Sequence, residues 1–175
     1  MQDPMNSTPI YQKVNDINIQ HGSTLFLFQR ANNPVAQELL SRLKSVDLEN
    51  VLILDQMPNL DLAHYLQSVT QRIQRAWAGW QAVILGEESF IWRFESLLVA
   101  QGLMKEEMSL ISIAGSRQVY CVHCGYLQIQ IHSNEDYCHC EQCGVYLLVR
   151  SHFSQRLGAY MGVCADADHS QGDAA

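Results

Sequence analysis

The sequence has 175 residues and a formal net charge of -7, from 11 lysines and arginines against 18 aspartates and glutamates. Nucleic acids and anionic membrane surfaces both attract basic segments, so this charge disfavours both as partners. Hydrophobic residues make up 47% of the chain, which is ordinary for a globular protein with a core. The N-terminal residues lack the basic and apolar regions of a secretory signal. No stretch approaches the roughly 18–20 apolar residues of a membrane helix, so we expect a cytoplasmic protein.

Three short apolar runs lack the polar alternation of a half-exposed strand, and a fourth segment also predicts a strand. Such runs predict strands that are covered on both faces, as in a parallel sheet between helices. The predicted strands are residues 25–28, 51–54, 82–85 and 109–113. The polar residues 1–22 that precede them predict an extended or poorly ordered lead-in.

Helical patterns separate these strands. Asn33 before Pro34 predicts the start of a first helix, and an apolar stripe from Leu62 to Trp77 predicts a second. Ser89 is the predicted cap of a third helix and Gly102 its stop. The order β-α-β-α-β-α-β indicates a small doubly wound parallel α/β domain over residues 23–116.

Two C-x-x-C-G motifs lie in the last third of the chain, at residues 121–125 and 140–144. The glycine of each motif lets the turn direct backbone N–H groups at the thiolates. The fifteen residues between Cys124 and Cys140 fit a zinc site. A strand is expected after each motif. The pattern predicts a four-cysteine, rubredoxin-like zinc ribbon over residues 117–149. Its metal ligands are Cys121, Cys124, Cys140 and Cys143.

Four thiolates complete a tetrahedral shell for zinc and leave no position for a reacting water. Iron is the alternative metal, because the first motif resembles a rubredoxin knuckle, and iron would make the chain an electron carrier. The histidines near the motifs, which we expect to be surface residues, are His123, His132 and His139. Cys138 is expected to be a spare thiol and Cys164 a small apolar filler.

Residues 150–175 follow the predicted ribbon. Apolar residues at helical spacing, flanked by arginines, predict a docking segment for a partner; the alternative is that this stripe packs on the chain's own ribbon. The predicted interface residues are Arg150, His152, Phe153, Arg156, Leu157, Tyr160 and Met161. The acidic, small-residue-rich residues 165–175 predict a disordered tail.

The α/β part resembles the NAD-binding module of ferredoxin-reductase-type flavoproteins, most clearly in residues 83–110. The family positions that this sequence keeps are Gly86, Phe90 and Gly102. The family's glycine-rich phosphate turn is replaced by residues 28–34, which contain no glycine. Glu87 and Glu88 add carboxylates that would repel phosphates. The resemblance therefore implies a degenerate dinucleotide domain that serves as a scaffold.

The ribbon and the residues after it closely resemble the small DmmA-type subunit of dimethylamine monooxygenase, a heme-dependent oxidative N-demethylase. The resemblance extends over residues 23–163 and is strongest in VYCVHCG, residues 119–125, and LLVRSHFSQRLGAYMGV, residues 147–163. It implies a bacterial enzyme that demethylates dimethylamine to methylamine and formaldehyde with O₂ and NADPH. This chain would be a non-catalytic accessory subunit of that enzyme.

The same resemblance implies two partners, a heme-containing catalytic subunit and a flavin/iron–sulfur reductase subunit. Heme, FMN and a 2Fe–2S cluster are expected on those partners, and zinc on this chain. The sequence agrees, because we find no nucleophile–base pair, open metal site or cofactor loop in it. The alternative function is a rubredoxin-like electron-transfer subunit of the same complex, with iron held by the four cysteines.

Overall fold

The computed structural model describes residues 9–57, 61–75, 79–131 and 135–166. The chain divides into two units, one of Ile10–Ile113 and a second that begins at Ala114. No helix within the described residues has both the length and the apolar composition needed to cross a membrane.

The described residues of the first unit form four strands and four α-helices, besides short 3-10 turns. In chain order they are β1 (Thr24–Phe28), α1 (Pro34–Ser41), α2 (Ser45–Leu48), β2 (Val51–Ile53), α3 (Leu62–Ile73), β3 (Gln81–Gly86), α4 (Glu88–Ala100) and β4 (Met108–Ser112). The strands form one parallel sheet in the order β2-β1-β3-β4. The chain passes from β1 to β2 on one side and returns to β3 and β4 on the other, which is the winding of a doubly wound sheet. The predicted α/β fold class is confirmed.

Apolar side chains cover both faces of this sheet. One face packs against α3 and α4, where the rings of Tyr65, Phe90 and Phe94 lie 4.6 to 6.1 Å apart. The other face packs against α1 through Ala36 and Leu39. Full burial of one large apolar side chain stabilises the fold by about 1.5–3 kcal/mol. The strands therefore bury side chains on both sides, which explains why their sequences do not alternate.

The helix ends follow two of the three predicted signals. The Asn33 side chain accepts a hydrogen bond of 2.9 Å from a backbone N–H of the first turn of α1. Gly102 has φ +97° just after α4, a left-handed conformation that suits glycine at a helix stop. The prediction that Ser89 caps α4 is wrong, because the helix begins one residue before it. The Gln29 side chain binds the N–H of Glu87 and holds that residue as the extended helix cap.

Residues 10–22, within the predicted extended or poorly ordered lead-in, pack on the core of the first unit. Val14 and Ile17 are buried in the core beside α1, and a 3-10 turn spans Val14–Asp16. The Arg42 guanidinium donates hydrogen bonds to the backbone carbonyls of Val14 and Ile17. Val14 and Ile17 therefore belong to the core, although their spacing in the sequence predicts neither a helix nor a strand. Residues 1–8 and Trp77, the predicted end of the second helix, lie outside the described residues.

The second unit is a five-stranded sheet. Its strands are β5 (Arg117–Cys121), β6 (Leu127–Gln130), β7 (Tyr137–His139), β8 (Tyr146–Ser154) and β9 (Ala159–Cys164). Their order is β6-β5-β9-β8-β7, in which β5 and β9 are parallel and the other pairs antiparallel. With its four-cysteine cluster, this sheet is consistent with the predicted zinc-ribbon module.

The helical spacing predicted after residue 150 is wrong, because β8 continues to Ser154 and β9 returns from Ala159. Phe153 and Tyr160 lie opposite each other across this hairpin, with ring centroids 5.0 Å apart. Two residues seven positions apart lie on the same face of a helix. They also lie opposite each other in a β-hairpin whose turn has four residues, as Phe153 and Tyr160 do here. Gly158, with φ +62°, supplies that turn. The segment is therefore part of the ribbon sheet.

Candidate metal centre

The first cysteine motif forms a tight turn at the end of β5. The N–H of Gly125 donates to the carbonyl of Cys121, and the N–H of Cys121 donates to the carbonyl of Tyr126. Both bonds are 2.8 Å long. Gly125 has φ +78°, which a residue with a side chain rarely adopts. This turn brings Cys121 and Cys124 onto one side of the loop.

The second motif repeats the same turn between β7 and β8. The N–H of Gly144 donates to the carbonyl of Cys140 at 2.8 Å, and the N–H of Cys140 donates to the carbonyl of Val145 at 2.9 Å. Gly144 has φ +74°. The shared C-x-x-C-G sequence thus gives two loops of equal geometry, each presenting two sulfurs.

The four predicted ligands converge on one point. Their Sγ atoms all lie within 4.8 Å of one another. The Sγ atoms of Cys121 and Cys143 are 3.9 Å apart, and those of Cys124 and Cys140 are 3.6 Å apart. Zinc–sulfur bonds of about 2.3 Å in a tetrahedron require sulfur–sulfur distances of about 3.8 Å. Disulfides, with sulfurs about 2.05 Å apart, are excluded here. The donor set fits a tetrahedral zinc or iron ion.

Hydrogen bonds tune the protonation of the thiols. Burial raises the pKa of Cys140, but bonds from the backbone amides of Cys143 and Gln142 and from neighbouring thiols lower it to about 7. The backbone amide of Tyr126 lowers the pKa of Cys124, but desolvation and hydrogen bonds with the other three thiols raise it to about 12. Four thiolates this close cannot all carry charge without a counterion, so a cation is the group that completes the cluster.

Gln128 fixes the second motif to β6. Its Nε2 donates to the carbonyl of His139 at 2.8 Å, and its Oε1 accepts from the N–H of Glu141 at 2.9 Å. These two residues flank Cys140 in the sequence. The same Nε2 also lies 3.6 Å from the Sγ of Cys138. Gln128 is only 6% exposed, so these bonds are partly shielded from water. Such outer partners orient metal ligands.

Gln130 continues the same bridge. Its Nε2 donates to the carbonyls of Glu135 at 2.9 Å and Tyr137 at 3.3 Å, and its Oε1 accepts from the Arg117 Nε at 2.8 Å. The two edge strands of the sheet, β6 and β7, are thus joined by glutamine side chains. Our sequence reasoning missed both glutamines. The alternation of apolar and polar residues along β6 does not identify the glutamines, because it predicts that the apolar residues face the core and the glutamines face solvent.

The remaining candidate ligands do not join the cluster. Among the described residues, the group of potential metal ligands around the site contains the four cysteines alone. His139 is exposed, and its Nδ1 lies 3.3 Å from the carbonyl of Gly144. His123 is exposed, and His132 lies outside the described residues. Cys138 and Cys164 are half-buried free thiols.

The predicted interface residues fall into two groups. Phe153 and Tyr160 are 2% and 8% exposed and pack on each other, with the Arg117 guanidinium 5.2 Å from the centre of the Tyr160 ring. For these two residues the alternative prediction, packing on the chain's own ribbon, is confirmed. Leu157 and Met161 are half-buried. The exposed members are Arg150, His152 and Arg156.

Side chains of the first unit fill the crevice where doubly wound folds bind dinucleotides, at the carboxyl ends of β1 and β3. The Gln29 Oε1 accepts from the N–H of Glu87 at 2.6 Å, at the start of α4. Arg30 pairs with the Glu87 carboxylate at 3.0 Å. The Asp55 carboxylate accepts from the N–H of Ala31, at 3.0 and 3.1 Å. Backbone amides that hold phosphate in nucleotide-binding domains are here occupied by the protein's own side chains.

Comparison with known proteins supports the resemblance seen in the sequence. Residues 118–163 match the family model described as dimethylamine monooxygenase subunit DmmA-like, C-terminal domain. The chain is 37% identical over 145 residues to the heme-dependent oxidative N-demethylase delta subunit of Ectopseudomonas mendocina (strain ymp), covering 82% of this chain and 80% of that subunit. No solved structure matches the chain significantly. The chain therefore belongs to the family of DmmA-type delta subunits of heme-dependent oxidative N-demethylases.

Proposed function

We propose that this chain is a non-catalytic accessory subunit of a heme-dependent complex that oxidatively demethylates dimethylamine, using O₂ and NADPH. Its partners are a heme-containing catalytic subunit and a reductase subunit with FMN and a 2Fe–2S cluster. The family relationship supports this role, since the relative is named as a subunit of such an enzyme. The cytoplasmic location and an interface through the exposed residues Arg150, His152 and Arg156 stay predictions.

The closed sulfur cluster is the observation that carries the non-catalytic role. Four sulfurs with spacings of 3.6 and 3.9 Å across two pairs leave no open coordination position for water or substrate. When bound, zinc supplies folding energy rather than chemistry, because so small a sheet has little core of its own. We infer that Cys121, Cys124, Cys140 and Cys143 hold a structural zinc ion.

The occupied crevice of the first unit supports the same role. A dinucleotide would have to displace the Gln29–Glu87 and Asp55–Ala31 hydrogen bonds and then face the Glu87 carboxylate. The Gln29–Glu87 bond is partly buried and the Asp55–Ala31 bonds are exposed, so a dinucleotide would gain hydrogen bonds here only by breaking existing ones. The unit therefore serves as a scaffold, and NADPH binds on another subunit.

One observation favours electron transfer as a second candidate function. Cys124 is exposed, so one sulfur of the cluster reaches the protein surface. An iron ion held by four thiolates, with one ligand at the surface, can exchange electrons with a partner. This arrangement fits a rubredoxin-like carrier within the same complex.

Co-expression with the heme-containing and reductase subunits tests the proposal. With the tag on the heme subunit, we expect this chain to co-purify in a fixed ratio and to carry one zinc per chain. A chain that stays unbound contradicts the accessory role. One iron per chain, with the visible absorption of a ferric tetrathiolate, identifies the electron carrier instead.

A further inference from the structure

Strand β6 is inverted relative to an ordinary half-exposed strand. Leu127, Ile129 and Ile131 are 44%, 54% and 74% exposed, whereas the intervening Gln128 and Gln130 are each 6% exposed. The polar side chains therefore face inward and the apolar ones face solvent. Burial of the two glutamines is explained, because their amides satisfy backbone groups along β7.

The outward apolar residues have no such explanation inside the unit. Solvent-facing positions of an edge strand normally carry polar or charged side chains, which protect the edge from unwanted association. Single exposed apolar residues are common. Leu127 and Ile129 on β6 and Ile131 directly after it are exposed at alternate positions, and we call them the β6 stripe (Leu127, Ile129, Ile131). Groups of exposed apolar residues mark interaction sites.

Exposed acidic residues lie near β6 in the fold. The Gln128 side chain binds the backbone N–H of Glu141, which brings the backbone of one acidic residue close to β6. The Gln130 side chain binds the backbone carbonyl of Glu135, which Asp136 follows directly. All three acids are exposed, and within the described residues none forms an ion pair. A partner surface that covers the stripe would bring basic side chains to these carboxylates.

Exposed tyrosine adds to this surface. Tyr137, on the strand that the glutamines bridge, is 47% exposed and stacks on Tyr146, with ring centroids 5.4 Å apart and planes at 13°. Tyrosines presented as rigid, half-exposed rings are frequent centres of protein interfaces. The surface combines an apolar stripe, an aromatic pair and an acidic rim.

We propose that the β6 stripe is the surface on which another subunit of the demethylase complex docks, through an apolar patch flanked by lysine or arginine. The inference rests on the proposed function, since it requires that the chain work within such a complex. It assigns the contact to β6 rather than to the β8–β9 hairpin, because the aromatic residues of that hairpin, Phe153 and Tyr160, are buried. Zinc holds this surface in shape through Gln128 but does not touch the partner.

The test measures binding of the purified chain to the complex of the other subunits prepared without it. The double variant Ile129→Thr/Ile131→Thr keeps β-branched residues that suit a strand. A matched control, Val46→Thr/Leu48→Thr, alters two residues of α2 in the first unit that are 53% and 57% exposed. We expect the Kd of the β6 variant to rise about tenfold or more, and that of the control to stay within about twofold. Metal content and unfolding midpoint, measured for both, verify that each variant is folded.

A charge-reversal variant tests the acidic rim. Glu135→Lys should weaken binding at low salt and reduce the dependence of Kd on salt concentration. Equal affinity of wild type and the β6 variant overturns the assignment of the surface. Loss of a self-dimer in the β6 variant with unchanged binding to the complex also overturns it, and identifies a second copy as the occupant. A wild-type chain that binds no demethylase subunit refutes the proposed function itself.

Discussion

Gln128 is the side chain whose removal most directly tests how the fold builds the metal centre. Gln128→Met keeps the length of the side chain but removes both hydrogen bonds to the backbone around Cys140. The carbonyl of His139 and the N–H of Glu141 then lose their partner in a partly buried position. At about 1–3 kcal/mol for each unsatisfied group, partly offset by the buried methionine, we expect the zinc-loaded protein to lose about 2–4 kcal/mol of stability.

Metal transfer to a chromophoric chelator measures this effect. We expect Gln128→Met to lower zinc affinity about tenfold to a hundredfold, the range typical for groups that orient metal ligands. Gln128→Glu keeps the acceptor for the N–H of Glu141 but turns a carboxylate oxygen toward the carbonyl of His139, so its effect should be at least as large. The control is Gln118→Met on β5, a half-buried glutamine. Cobalt-substituted protein should show altered thiolate–cobalt bands in Gln128→Met. Unchanged affinity and spectrum would refute the positioning role.

Two further substitutions test separate parts of the fold. In Gly162→Ala, the new Cβ would lie 2.9 Å from the Cγ1 of Val119 and 3.0 Å from the Cδ1 of Leu147. Because these contacts are too close, we expect the unfolding free energy to fall by about 1–3 kcal/mol. An unchanged midpoint in thermal unfolding would contradict this. The Asp47 carboxylate is buried and accepts hydrogen bonds from the Lys44 and Gly22 N–H groups and from His21. Burial raises its pKa, but these bonds outweigh burial and hold the pKa below its usual value. The resulting stability is present above the unfolded pKa of about 3.9 and disappears as the pH falls through the lowered folded pKa. Asp47→Asn should therefore destabilise the protein at neutral pH, and denaturant unfolding at several pH values should show this loss shrinking below about pH 4; a loss independent of pH would count against the reasoning.

Local signals predicted the first unit well. Three continuous apolar runs identified β1, β2 and β3, because strands covered on both faces cannot alternate, and β4 was also predicted as a strand. Asn33 and Gly102 act through their own backbone geometry, so their roles are visible in the sequence. The cap of α4 escaped prediction because it depends on Gln29, which comes from a loop 58 residues away.

The ribbon shows where sequence patterns become ambiguous. The four metal ligands could be identified because a chelating turn requires a fixed local spacing. Phe153 and Tyr160 suit a helix or a hairpin equally, and only the position of Gly158 distinguishes the two. The inversion of β6 could not be predicted, because it depends on unsatisfied backbone groups of β7, which exist only once the sheet has formed.

X-ray absorption at the metal edge, on the chain purified within its complex, tests the central claim most directly. A closed structural site predicts one zinc per chain with four sulfur neighbours at about 2.3 Å and no nitrogen or oxygen neighbour. A nitrogen or oxygen neighbour at about 2.0–2.1 Å, or fewer than four sulfurs, would contradict the account, because it would mean an open coordination position on a subunit that we describe as non-catalytic.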